Sequence, residues 1–228
     1  LECEKKSVED IIKIFNFYKL RSKVNLIDVS KKYIAITISL EKFKAVYKAK
    51  TTKGNTISDN ENLIYVDPRN EKLGAKIVLK IENIKKEIKN LNLKIVDKKN
   101  YYIKSFDLGI PQINLGKLKD KIFGIENNLD ELGGIDFKKG CYIGQENTSR
   151  IKLRNKLRRR ILPIKKINGE IVENDIIKYK GFEIGKIIIG APYPFGLIKI
   201  LDPDLKEFVN LEVNSGTSKI KILKPDWI

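Results

Sequence analysis

The last third of the chain sets the narrowest limit on the fold. From Arg158 onward it reads RRRILPIK, EIVENDIIKYKGFEIGKIIIGAP, FGLIKIL, EFVNLEV and SKIKILKP, short β-rich runs separated by turn signals. Such runs cannot bury their apolar faces singly, and close spacing leaves no room for crossover helices between them. A small β-barrel or sandwich is the arrangement that satisfies them. The boundary is expected near Lys156, giving domains 1–156 and 157–228. A length of 228 residues suits one large or two modest domains.

The front part mixes both periodicities. SVEDIIKIFNFYKL reads as a helix, with Ser7 as N-cap, Glu9 and Asp10 in the first turn, and apolar residues at helical spacing. VNLIDVS and KYIAITISL alternate and read as strands, and AVYKAK reads as a further strand. TTKGNTISDNEN is polar and reads as a loop, and NLIYVDP as a strand ended by proline. KIENIKKEIKNLNLKIV carries Ile81, Ile84, Ile88 and Leu91 and reads as an amphipathic helix. KNYYIKSFDLGIP ends in a Gly-Ile-Pro turn. In DPRNEKLG, Asp67 and Arg69 are close enough to pair, and the pair more often fixes a turn than does chemistry. The mixture gives an α+β class.

The stretch GGIDFKKGCYIGQE holds four glycines and one of the two cysteines. Gly133–Gly134 reads as a turn before a short strand Ile135–Phe137, and Lys138–Lys139–Gly140 as a second turn. Gly144–Gln145–Glu146 reads as a helix start. Glu146 and Arg150 are then i, i+4 on one face, with cations toward the C-terminal end as the helix dipole favours. Two readings of Cys141 stand. It is a working thiol, its anion favoured by Lys138, Lys139 and the helix start, or a small residue that fits a glycine-bounded turn. The run SRIKLRNKLRRRILPIK then places cations at Arg150, Lys152, Arg154, Lys156, Arg158 and Arg160. They form either a groove for carboxylates or phosphates or a solvated basic face.

Composition removes several chemistries. The chain has no His, so the commonest general base and the commonest metal ligand are missing, and two cysteines alone do not make a usual zinc site. Two cysteines also make no disulfide framework, so a reducing compartment is expected. No apolar run approaches the roughly 18–20 residues of a membrane span. The start LECEKKSVED lacks the pattern of a signal peptide, and without an initiator Met the chain is expected to begin inside a longer protein. The net charge of +17 reads either as lysine spread over the whole surface or as a polyanion partner such as RNA or a polyglutamylated cofactor.

The segment NLDELGGIDFKKGCYIGQENTSR resembles the signature of the YgfZ-type folate-binding proteins, relatives of the glycine-cleavage T-protein (GcvT, aminomethyltransferase). Lys139, Gly140, Cys141, Tyr142, Gly144, Gln145, Glu146 and Arg150 match its pattern. YKLRSKV, VDPRNEKLG, GIP at Gly109–Pro111 and the terminal KPDW resemble other blocks in the same order. The resemblance covers essentially the whole chain. It departs from the family in the front segment, which is not found, and at Ser105, where many relatives carry Arg. That second departure puts their local salt bridge or ligand contact in question.

The resemblance implies a GcvT/YgfZ-like cloverleaf: a folate-binding domain, a ferredoxin-like α+β part and a C-terminal β-barrel. It implies tetrahydrofolate, possibly polyglutamylated, as cofactor. It implies an accessory role in assembly or repair of iron–sulfur clusters in client proteins, including tRNA-modifying enzymes, with Cys141 as the functional thiol. Candidate folate contacts are Tyr101, Tyr102 and Tyr142 as walls, Lys139, Arg150 and Arg154 as cations, and Gln145 and Glu146 of the motif. No metal ligand set and no membrane contact are expected. The implied location is cytoplasmic in a bacterium and the mitochondrial matrix in a eukaryote. An aminomethyltransferase passing a one-carbon unit to tetrahydrofolate, and a basic RNA-binding module, are the alternatives.

Overall fold

The computed structural model describes residues 1–59, 61–141, 145–154, 157–202 and 205–228. It divides into two compact units, Leu1–Ile95 and Val96–Ile228. The expected boundary near Lys156 falls on residues outside those described. The segment from Val96 to Arg154 groups with the barrel strands in the second unit. Among the described residues no helix is long and apolar enough to cross a membrane.

The first unit opens with helix α1 (Val8–Tyr18), preceded by Ser7, whose side chain makes no cap hydrogen bond. Strand β1 (Tyr33–Ile38) leads into helix α2 (Leu40–Tyr47), then β2 (Thr56–Asp59), β3 (Asn62–Val66), β4 (Ala75–Lys80) and helix α3 (Ile84–Asn90). The strands form one antiparallel sheet in the order β1-β4-β3-β2. Its core is Phe43 of α2 packed with Ile64, Val66, Ala75, Ile77 and Leu79, all fully buried.

Three expectations for this unit are corrected. VNLIDVS is not a strand, because residues 24–29 find no ladder partner among the described residues and a strand needs one for its backbone groups. AVYKAK is not a strand either. Its first three residues finish α2, which starts because the Ser39 Oγ accepts from Lys42 N at 3.1 Å and caps the helix. The polar TISD, read as loop, is β2, an edge strand supported by pairing with β3.

The DPRNEKLG segment is a built turn. Asp67 is 1% exposed and takes Arg69 Nε at 3.0 Å, Arg69 Nη2 at 2.8 Å and the Arg69 backbone N–H at 3.0 Å. The turn closes at Gly74, with φ +101°, where a Cβ would sit 2.2 Å from the Ile38 carbonyl oxygen. Only glycine fits there.

The second unit begins with helix α4 (Lys99–Asp107), a 3-10 turn at Leu115–Leu118 and helix α5 (Gln145–Leu153). The strands β5 (Arg159–Asn168), β6 (Ile176–Tyr179), β7 (Phe182–Ile189), β8 (Phe195–Lys199), β9 (Glu212–Ser215) and β10 (Ser218–Ile222) follow. They close a six-stranded antiparallel barrel in the order β10-β5-β8-β7-β6-β9. The expected barrel is therefore present, and the chain is α+β. Closure removes the exposed edges that short strands would otherwise present. Leu162, Ile164, Ile177, Ile187, Ile198, Ile220 and Ile222 fill the interior at 0% exposure.

The Gly-Ile-Pro turn and the terminal KPDW block, distant in sequence, meet. Trp227 Nε1 donates to the Leu108 carbonyl at 2.6 Å. Gly109 has φ +71°, and a Cβ there would lie 2.2 Å from Pro225 Cγ. Ser105 is fully buried and donates its hydroxyl to the Ile110 carbonyl at 2.7 Å. It closes the same turn from inside. The residues Ile135–Phe137 form no strand: among the described residues no strand pairs with them, and Ile135 N donates to the Leu129 carbonyl at 3.2 Å instead.

A second tie crosses from the 3-10 turn to the barrel. Lys117 pairs with Glu173, and Glu173 Oε1 accepts the Gly190 backbone N–H at 3.0 Å. The Lys117 hydrogen bond holds the Glu173 carboxyl below its ordinary value; burial works against it, and the Gly190 N–H and the Lys117 and Lys121 charges reinforce it. A carboxyl lowered on folding stabilises the fold above its ordinary range, and that stabilisation is lost as pH falls through the lowered value. Both side chains are about a third exposed, so solvent screening limits the pair to at most about 1 kcal/mol. Glu173→Gln is therefore expected to unfold about 0.5–1 kcal/mol more easily than the parent at pH 7 in urea titration. The gap should close as pH drops below the ordinary glutamate range. A gap unchanged between neutral and acid pH would contradict this origin.

Candidate functional site

The site grows from the conflict between one acidic and one basic segment. The connection Phe123–Gly134, FGIENNLDELGG, has no regular secondary structure and carries Glu126, Asp130 and Glu131. It lies against the start of β5 and is held there by charge. Glu126 is 5% exposed. It accepts from Arg159 Nε at 2.9 Å on Oε1, and from the Phe123 backbone N–H at 2.9 Å on Oε2. The Glu126 carbonyl accepts from Ile161 N at 2.9 Å. Asn128 is fully buried, donates to the Ile161 carbonyl at 2.9 Å and accepts from Arg160 Nη1 at 2.8 Å. Arg160 also pairs with Glu131 at 2.7 Å, and Lys152 with Asp130 at 2.5 Å.

Three cations of the basic run are thus structural. Arg159, Arg160 and Lys152 neutralise the three acids of the connection. A buried carboxylate without its partner would carry several kcal/mol of desolvation, so the two segments need each other. Arg154 and Arg158 have no ion-pair partner among the described residues.

These two arginines line a cavity of about 670 Å³ between α5 and the barrel. Arg150, Arg159 and Lys199 share its rim, Glu126 its wall, and Phe123, Ile151, Leu157, Ile200 and Leu201 give it an apolar lining. The volume suits a small organic ligand. Apolar walls with cations at the rim suit an anion whose body is flat and apolar, since guanidinium groups bind carboxylates in a fixed fork. Lys199 is partly engaged, pairing with Glu183 at 3.4 Å.

The expected site residues distribute as follows. Arg150 and Arg154 line this cavity, and together with Gln145, Glu146, Ser149 and Leu153 they also line a shallow recess along α5. Gln145 and Glu146 are the first turn of α5, and Glu146 pairs with Arg150 at the expected i, i+4 spacing. Lys139 is exposed in the turn before Gly140. Cys141 is exposed to solvent, as is Cys3. Tyr142 lies outside the described residues. Tyr101 and Tyr102 sit on α4 with ring centroids 6.1 Å apart. Tyr102 continues through Tyr193 and Phe106 to Phe195 of the barrel, in a chain of ring contacts between 5.6 and 6.3 Å. Neither tyrosine is among the described residues lining the large cavity.

Sequence reasoning named Arg158 within the basic run but passed over Phe123, Glu126, Arg159 and Lys199. A signal was present for Glu126 and Arg159: an acidic stretch that precedes a basic one, the two residues 33 apart. Lys199 follows only from the strand order that puts β8 next to β5.

No protein-family model matches the chain. A solved structure, glycine cleavage system aminomethyltransferase T from Bartonella henselae, is similar at a TM-score of 0.48 and 12% identity, over 75% of this chain and 50% of that one. Three curated proteins named iron-sulfur cluster assembly factor IBA57 homolog, mitochondrial, are similar in sequence. The one from Neurospora crassa is 31% identical over 69% of this chain and 33% of its own length. That from Coccidioides immitis is 30% identical over 75% and 39%. That from Dictyostelium discoideum is 28% identical over 72% and 40%. The chain therefore spans two fifths or less of the length of these relatives. Over more than two thirds of its own length, it is similar to curated iron–sulfur cluster assembly factors.

Proposed function

We propose that the chain is part of a tetrahydrofolate-binding accessory protein that supports iron–sulfur cluster assembly or repair in client proteins, acting in the mitochondrial matrix. The sequence likeness to curated iron–sulfur cluster assembly factors carries this reading. The YgfZ-type signature from Lys139 to Arg150 supports the folate part of it.

The residues at the cavity fit one portion of a folate. An aminobenzoyl-glutamate has a flat apolar ring and ends in carboxylates. Phe123, Ile151, Leu157, Ile200 and Leu201 suit the ring, and Arg154 and Arg158 suit the carboxylates. Bound there, a reduced folate would supply one-carbon or redox chemistry of its pterin. The chain's own contribution is to bind and orient: Glu126 neutralises Arg159 at the cavity, which leaves Arg154 and Arg158 as the cations there without an ion-pair partner among the described residues. Cys141 is exposed and available to a client protein or to a cluster passed as cargo.

Two measurements test the reading. Calorimetric titration of the chain with tetrahydrofolate should give binding that Arg154→Glu weakens by about tenfold or more, the worth of one charge-assisted contact. No binding, or an unaffected Arg154→Glu, would remove the folate assignment. Separately, Cys141→Ala should keep the unfolding midpoint and the folate affinity while losing the restoration of cluster-enzyme activity in cells depleted of their own assembly factor. Full restoration by the variant would return Cys141 to a residue of the turn.

A further inference from the structure

The barrel carries a second cationic surface, on the side formed by β5, β10, β9 and β6. Along β10, Ser218, Ile220 and Ile222 are buried, and Lys219 and Lys221 lie between them on the outer face. Register places Lys221 directly opposite Lys165 of β5 on one side and Glu212 of β9 on the other. Lys219 lies between Asn168 of β5 and Asn214 of β9, and Asn214 opposes Lys178 of β6. The row is therefore Asn168–Lys219–Asn214–Lys178 across four neighbouring strands, with the Lys165–Lys221 pair one step along.

Several cations elsewhere in the unit are matched to acids, whereas Arg154 and Arg158, like this row, have no ion-pair partner among the described residues. Lys117, Lys152, Arg159, Arg160 and Lys199 each face an acid. On the outer face, none of Lys165, Lys178, Lys219 and Lys221 has an ion-pair partner among the described residues. Like charges directly opposite each other on neighbouring strands cost stability. The barrel carries that cost at Lys165–Lys221 with Glu212 opposite Lys221, and Glu183 of β7 stands opposite Lys178 at the end of the row.

We propose that this outer face docks the phosphate backbone of a nucleic-acid duplex. The spacing suits it: strands about 4.8 Å apart and same-face residues about 6.8 Å apart along a strand spread the lysines over a surface comparable with successive phosphates. The residue types suit it too. Lysine and asparagine are backbone-contacting residues, and Asn168, whose Oδ1 accepts from Lys219 N at 3.1 Å, has its amide N–H group left to donate. A protein partner would be met by aromatic, Met or Arg anchors, and lysine is depleted from such interfaces. The row has none of these anchors. Without an aromatic on it, the row offers no platform for stacked single-stranded bases. This inference is independent of the folate reading and uses none of its residues.

The test is fluorescence anisotropy of the full chain with a labelled RNA duplex and a DNA duplex of the same sequence, over a range of salt. Binding to either duplex is expected, falling steeply with salt. Charge reversal at Lys165→Glu, Lys219→Glu and Lys221→Glu together should weaken it by at least about tenfold and flatten the log–log salt slope by about 2–3. The matching Lys→Gln triple, which puts no new carboxylate beside Glu212, should move in the same direction by less. A control triple on α3, Lys85→Glu, Lys86→Glu and Lys89→Glu, changes net charge equally and should leave most of the affinity. No duplex binding, or equal loss in both reversed triples, overturns the proposal. So does tighter binding to poly-glutamate or to anionic vesicles that depends on the same lysines, since the face would then serve an acidic protein or a membrane.

Discussion

The Glu126–Arg159 pair sets the geometry of the second unit. It is the point where a connection without secondary structure is fastened to the first strand of the barrel. Glu126 is nearly fully buried, and its two oxygens and its backbone carbonyl are all engaged, by Arg159, Phe123 and Ile161. Asn128, Arg160 and Glu131 extend the fastening one turn further. Without it, a polar segment would lie on an apolar barrel wall with unpaired charges, the costly situation for any buried ion. With it, the connection becomes one side of a cavity whose other side is α5.

That division of labour makes sense of the basic run from Arg150 to Arg160. Read along the sequence, the cations look equivalent. In the fold they are not. Arg159 and Arg160 are paired with acids of the connection, while Arg154 and Arg158 line the cavity with no ion-pair partner among the described residues. The chain thereby keeps two guanidinium groups without an ion-pair partner among the described residues, at a cavity where neighbouring cations are already neutralised.

Much of the barrel was legible from period-two alternation, because closed small barrels bury one face of every strand and expose the other. Lys219 and Lys221 between Ser218, Ile220 and Ile222 show it plainly. The helix start at Gln145 and the Glu146–Arg150 pair were legible from local spacing. What failed was whatever depended on partners. VNLIDVS alternates well but has no neighbouring strand, whereas TISD alternates poorly and is held in the sheet by β3. The role of Glu126 was hidden for the same reason: a carboxylate becomes informative only when the fold brings Arg159 to it from 33 residues away. Ser105, which looked like a lost contact, proved to be a hydroxyl closing the Gly109 turn.

Arg158 and Arg159 are adjacent in sequence and identical in chemistry, so the two differ only in where the fold sends them. The direct test is the urea-unfolding free energy of Arg158→Gln and Arg159→Gln, measured side by side. Arg159→Gln should lose about 2 kcal/mol, less than a fully buried pair because Arg159 is 43% exposed. Arg158→Gln should lose less than about 0.5 kcal/mol, as an exposed cation does. Equal losses, or a larger loss at Arg158, would contradict the division between structural and ligand-facing cations.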